Sequence, residues 1–124
     1  HQRATTWGRD IGKAFLAFEA YARSGYTGNL YQWCSSGNDF SWFSQSTALK
    51  ESDTVHNDER LYAQRVLPIT TEVDPRGKVF MESHLKFRGS MAPRLYFFDD
   101  TKGKTQKVHI GGIDPHSRWE NTTT

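Results

Sequence analysis

The stretch VFMESHLKFRG, residues 79–89, alternates in a way that an extended strand can use. Val79, Met81, Leu85 and Phe87 fall on one side, with Ser83 between them, while Phe80, Glu82, His84, Lys86 and Arg88 fall on the other. Successive strand side chains point to opposite faces, so the first set requires a core. The second set aligns an acid, an imidazole and two cations, and it is the feature that any account of function must explain.

The period of two extends beyond this stretch. It begins near residue 62, with Leu67, Ile69, Thr71 and Val73 on one side of a strand over 65–73, and recurs over 78–88, 94–99 and 107–113. Asp74-Pro75-Arg76-Gly77 has the residue order of a type I turn, and Asp100-Thr101-Lys102-Gly103 makes a second hairpin loop. Four strands with short connections predict an antiparallel meander over 62–113, and Pro68 favours an edge position for the first. Ahead of it, Trp7, Ile11, Ala14, Phe15, Phe18, Tyr21 and Ala22 recur at steps of three and four, which predicts an amphipathic helix over 5–24 capped by Thr5 or Thr6. Residues 26–60 read as an aromatic-rich loop with a short helix near 42–50, and GNLYQW as a short strand. Residues 114–124 form a tail. The expectation is one α+β domain of two layers, the N-terminal helix packed on a four-stranded antiparallel meander.

Composition narrows the function classes. Of 124 residues, 24% are charged, yet the net charge is only +2, so bulk charge does not argue for a polyanion partner and local distribution decides. A single cysteine, Cys34, excludes an internal disulfide and a cysteine zinc cluster, and it reads as a buried, inert thiol among aromatics. No apolar run approaches the roughly 18 residues of a membrane span. No membrane partner is expected, and a reducing, cytoplasmic location fits.

The polar strand face carries the chemistry. If the meander pairs in sequence order, Glu82, His84, Lys86, Arg88, Arg94, Tyr96, Lys107 and His109 share one face. An antiparallel sheet often leaves one face wet, so a polar face alone is ordinary. This one is cationic and holds two histidines and a tyrosine. Arginine and lysine bind phosphate and stabilise developing negative charge, and histidine titrates near neutrality. His84 and His109 as acid and base, Arg94 and Lys86 as charge stabilisers, Tyr96 as a positioning group or proton donor, and Glu82 as a further base or an arginine's partner are enough to cleave an RNA phosphodiester without a metal. Arg88, Lys102, Lys104 and Lys107 are the expected phosphate contacts. Trp33 and Trp42, among the loop aromatics, either stack single-stranded bases or plug the core.

Competing signals are weaker. Gly103-Lys104-Thr105 resembles the end of a phosphate loop, but Phe98 stands where the first glycine belongs. Asp99-Asp100 reads as turn chemistry, and His84, His109 and His116 lack close metal-ligand spacing. No metal and no cofactor are expected.

The strand R-x-Y-F-F-D-D, with Arg94 and Tyr96, followed by a turn and K-V-H-I, with Lys107 and His109, resembles the RelE/ParE/HigB toxin superfamily over roughly residues 60–113. The resemblance implies a small basic α+β protein, with ribosome-dependent mRNA endonucleases among its relatives and catalysis by Arg, Lys, Tyr, His or Glu on the sheet. Two readings stay open. One is a nucleic-acid-interacting domain acting as a metal-independent endoribonuclease of toxin type. The other is a non-catalytic module that binds single-stranded nucleic acid or a protein partner such as an inhibitor.

Overall fold

The structure, a computed structural model, describes residues 2–40, 46–87 and 92–114, with side chains from residue 7 to residue 113. In chain order the elements are α1 (Gln2–Ser24), α2 (Leu30–Cys34), β1 (Thr47–Ala48), α3 (Asp53–Asn57), α4 (Glu59–Gln64), β2 (Val66–Pro68), β3 (Lys78–Phe80), β4 (Ser83–Lys86), β5 (Arg94–Asp99) and β6 (Val108–Asp114). The architecture is α+β, with α1 packed on a four-stranded antiparallel sheet of order β1-β4-β5-β6. Among the described residues no helix is long and apolar enough to cross a membrane.

α1 begins at Gln2, so Thr5 and Thr6 lie inside it rather than capping it. It buries Ala14, Ala17, Phe18 and Tyr21 against Leu85, Leu95 and Phe97 of the sheet. Phe18 meets Phe97 with ring centroids 4.8 Å apart. Phe15, expected on that stripe, sits to its side and is 43% exposed. α2 replaces the strand expected at GNLYQW. Asn29 accepts from Gln32 N–H at 2.8 Å while Gln32 Oε1 accepts from Asn29 N–H at 2.9 Å, a capping box that starts a helix there. α2 delivers Trp33 and Cys34 to the same core, where burial pushes the Cys34 thiol up to about 11 and keeps it protonated at neutral pH.

The sheet differs from the meander in its first strand. Residues 66–68 pair with 78–80 in a separate two-stranded sheet, and β1 takes the edge beside β4, with Ala48 opposite His84. The apolar set of the VFMESHLKFRG stretch is therefore divided. Val79 and Met81 join Leu67 and Tyr96 in a second core, whereas Leu85 and Phe87 belong to the core under α1. The ladder breaks at Met81-Glu82, where Met81 N–H bonds the Arg65 carbonyl at 2.7 Å and the chain crosses from one layer to the next.

β6 carries a bulge. Tyr96 is opposite Gly112 and Phe97 opposite Ile110, leaving Gly111 as the extra residue. The bulge resets the alternation, so Val108, Ile110 and Ile113 all lie on the side facing α1. Gly111 is also where the second layer presses closest: a Cβ there would run into the Met81 sulfur and come within 2.9 Å of Leu67 Cδ1.

Candidate functional site

The face opposite α1, expected to be open, is largely covered. Residues 49–81 fold back over it and supply a second core built on Leu67, Met81 and Tyr96. His84 is 2% exposed, Arg94 7% and Tyr96 0%, which corrects the picture of a continuous solvated row. Antiparallel alternation places these side chains on one face but says nothing about what lies over it.

Under that cover is a buried polar cluster whose other half comes from residues that sequence reading passed over. Arg65 Nε donates to Glu51 Oε2, and Arg65 Nη1 donates to the Leu61 carbonyl at 3.0 Å. The Tyr96 hydroxyl donates to the same Glu51 oxygen at 2.7 Å. The Arg65 guanidinium carbon lies 5.7 Å from the centre of the Tyr96 ring, within reach of a cation–π contact. Arg65 shares the odd-numbered register of Leu67 and Ile69, and a cation in an apolar register was the one signal of a buried pair. Burial, reinforced by the Glu51 carboxylate, pushes Tyr96 up to about 12, so the phenol keeps its proton, which is directed at Glu51 and not offered to a substrate.

His84 stacks on Tyr96, ring centroids 4.7 Å apart. Its Nδ1 is 2.8 Å from the Glu82 carbonyl, which can only accept, so Nδ1 carries the proton and Nε2 the lone pair. Burial holds the His84 pKa below its ordinary value, helped by Arg94 and Lys86 and opposed by the hydrogen bond to the Glu82 carbonyl and by Glu51. Between the folded-state pKa and about 6.5, the unfolded chain binds a proton that the folded chain refuses, so stability falls as pH drops through that window. Urea midpoints measured from pH 7.5 down to about 5.5 are expected to decline in the wild type and to decline less in His84→Gln; equal slopes would refute it.

The ladder sets Lys86 opposite Arg94, and Arg94 opposite Asp114 on its other side. Directly opposed residues of an antiparallel pair have Cβ atoms roughly 4.5–5.5 Å apart, and like charges there repel. Among the described side chains no carboxylate forms an ion pair with Arg94. Arg94 is close enough to the Tyr96 hydroxyl to oppose, weakly, the upward push of burial and Glu51 on that group. A cation this deeply buried ordinarily has a counter-charge.

The remaining expected residues are distributed elsewhere. Glu82 leaves the row at the ladder break, and its carboxylate accepts from Glu51 N–H at 3.1 Å and lies 2.9 Å from His56 Nε2. His109 stands opposite Phe98, with Nε2 2.7 Å from Thr105 Oγ1. Because that hydroxyl donates to Asp100 at 2.6 Å, His109 is the donor to it and is held within the hairpin loop. Lys102 Nζ donates to the Gly28 carbonyl at 2.7 Å and to Tyr21 OH at 3.3 Å, fastening the loop to the end of α1 rather than reaching outward. Lys104 and Lys107 are exposed. They lie toward the other end of the sheet from Arg94, whose separation from Asp99 along β5 is roughly 17 Å at ~3.4 Å per residue. Trp33 is 8% exposed and stacks on Phe40, so it is a core residue, not a base platform. Arg88, Trp42 and His116 lie outside the described residues.

Asp99 accepts from Thr101 N–H and Oγ1, and Asp100 from Thr105 N–H and Oγ1, which is turn chemistry. Among the described residues no three His, Cys, Asp or Glu side chains are grouped to hold a metal ion.

The geometry defines an α+β domain with a buried, cation-rich patch between its sheet and a second layer. No protein-family model, curated protein or solved structure matches the chain.

Proposed function

We propose that this chain binds single-stranded RNA or DNA by its phosphates, at the end of the sheet where Lys86 and Arg94 face each other, with Lys104 and Lys107 as secondary contacts. The supporting observation is Arg94, a buried guanidinium set directly opposite Lys86 on the neighbouring strand. An anion satisfies both cations, and phosphate is the anion arginine matches best in geometry.

Binding is favoured over cleavage. Tyr96 is sealed and its hydroxyl engaged by Glu51, while Glu82 and His109 are occupied elsewhere, so the acid–base set required for metal-independent ribonuclease chemistry does not converge. A protein-interaction reading has one observation in its favour: a groove of about 730 Å³ between α1 and β6, floored by Phe15, Phe18, Val108 and Ile110.

Anisotropy titrations of labelled single strands in EDTA, at about 50 and about 200 mM salt, test this reading. The expected result is intact nucleic acid, binding that weakens steeply with salt, and a loss of roughly tenfold or more in Arg94→Gln. Salt-independent binding, or none, would overturn it. Cleavage abolished by His84→Gln would restore the catalytic reading.

A further inference from the structure

Resting on that reading, the geometry points to a narrower ligand class: the Lys86–Arg94–His84 site takes a terminal phosphate monoester, the phosphorylated end of a strand, rather than the diester backbone along its length.

Access comes first. Lys86 is exposed, Arg94 keeps 7% of its surface and His84 2%, so the patch narrows from one open lysine to two covered groups. An internal phosphate is flanked by two sugars and lies along the strand. It can reach the exposed Lys86, but a sugar on each side leaves it less able than a chain end to approach a guanidinium that is only 7% exposed. A terminal phosphate projects beyond its single sugar and can enter end-on.

Lys86 and Arg94 supply two positive charges on directly opposed positions of β4 and β5. A monoester carries close to two negative charges near neutral pH, whereas a diester carries one. The dianion matches the pair, whereas a diester held at the exposed Lys86 leaves the buried Arg94 guanidinium unmatched, which is costly at that depth.

The imidazole adds selectivity. With Nδ1–H held by the Glu82 carbonyl, Nε2 is left as the free polar atom of His84, and no described residue bonds it. Nε2 accepts the P–O–H hydrogen of a monoester monoanion or, once protonated, donates to the dianion. An internal diester has no P–O–H to give. The ring is fixed on its other face by Tyr96, so this edge is held in place before the ligand arrives.

The test uses one single-stranded sequence of about ten nucleotides, internally labelled, in three forms: 5′-phosphate, 3′-phosphate and hydroxyl at both ends. Inorganic phosphate serves as competitor. One phosphorylated form is expected to bind roughly tenfold tighter than the hydroxyl form, about the worth of one charge-assisted hydrogen bond, and the tighter form identifies the end that is read. Inorganic phosphate should erase the difference and leave the residual binding. Arg94→Gln and His84→Gln should abolish the preference, and Lys86→Gln, at an exposed position, should reduce it without threatening the fold. Equal binding of all three forms overturns the end-recognition inference and leaves nucleic-acid binding intact. If no oligonucleotide binds while inorganic phosphate still does so in an Arg94-dependent way, the nucleic-acid reading falls and the monoester site stands. Absence of both overturns both.

Discussion

Arg65→Met is expected to lower folding stability by about 3–5 kcal/mol, the usual cost of removing one partner from a buried ion pair. The effect is large because Glu51 would keep its charge at a site only 8% exposed, with the Tyr96 hydroxyl as its remaining side-chain donor among the described residues. A typical domain is stable by roughly 5–15 kcal/mol, so the variant should be near its limit at room temperature. The double variant Arg65→Met, Glu51→Gln should recover much of the loss, since neither charge is then stranded. Tyr96→Phe, which removes one hydrogen bond, should cost nearer about 1 kcal/mol. Urea denaturation decides the matter: an Arg65→Met midpoint close to wild type would mean that the pair is not what fastens the second layer to the sheet.

Gly111→Val carries the second large effect. The bulge puts this residue under Met81 and Leu67, where even a Cβ finds no room, and valine adds two methyl groups beyond it. Overpacking of this kind costs about 1–3 kcal/mol, sometimes more. The glycine is required by approach distance, because its backbone conformation is one that other residues adopt. A Met81→Ala background should soften the penalty, since the colliding sulfur would be gone, and the two changes should be clearly non-additive in a double-mutant cycle. A Gly111→Val protein as stable as wild type would show that the second layer can lift from β6 at no cost.

Much of the fold was legible in the residues. The three-and-four spacing of Ala14, Phe18 and Tyr21 located α1 and its buried stripe, and the alternation over 94–99 placed Leu95 and Phe97 against it. The pairing of β4, β5 and β6 followed from short connections. Local signals failed where two patterns competed. Asn29 and Gln32 make a capping box, and the aromatic run behind it disguised the helix as a strand. Residues 66–68 and 78–80 alternate like their neighbours, yet they pair only with each other, because strand periodicity carries no address for its partner.

The candidate site was half legible. His84, Lys86, Arg94 and Tyr96 do share a face of β4 and β5, as alternation requires. Glu82 and His109 left the group through a ladder break and a hairpin contact, and Glu51 and Arg65 joined it from segments that local periodicity cannot link to the sheet.

By itself, then, the sequence determined which side of each central strand a residue occupies, since that depends only on the two-residue repeat of an extended chain. Whether that side meets water was decided by tertiary structure alone. Residues 49–81 cross over the sheet, and burial of Leu67 and Met81 against Tyr96 brings Glu51 and Arg65 down onto it. The same cover that withdraws Tyr96 and His84 from solvent leaves Arg94 a buried cation beside an exposed lysine, and that difference in environment, not residue identity, turns a row of polar side chains into a candidate anion site.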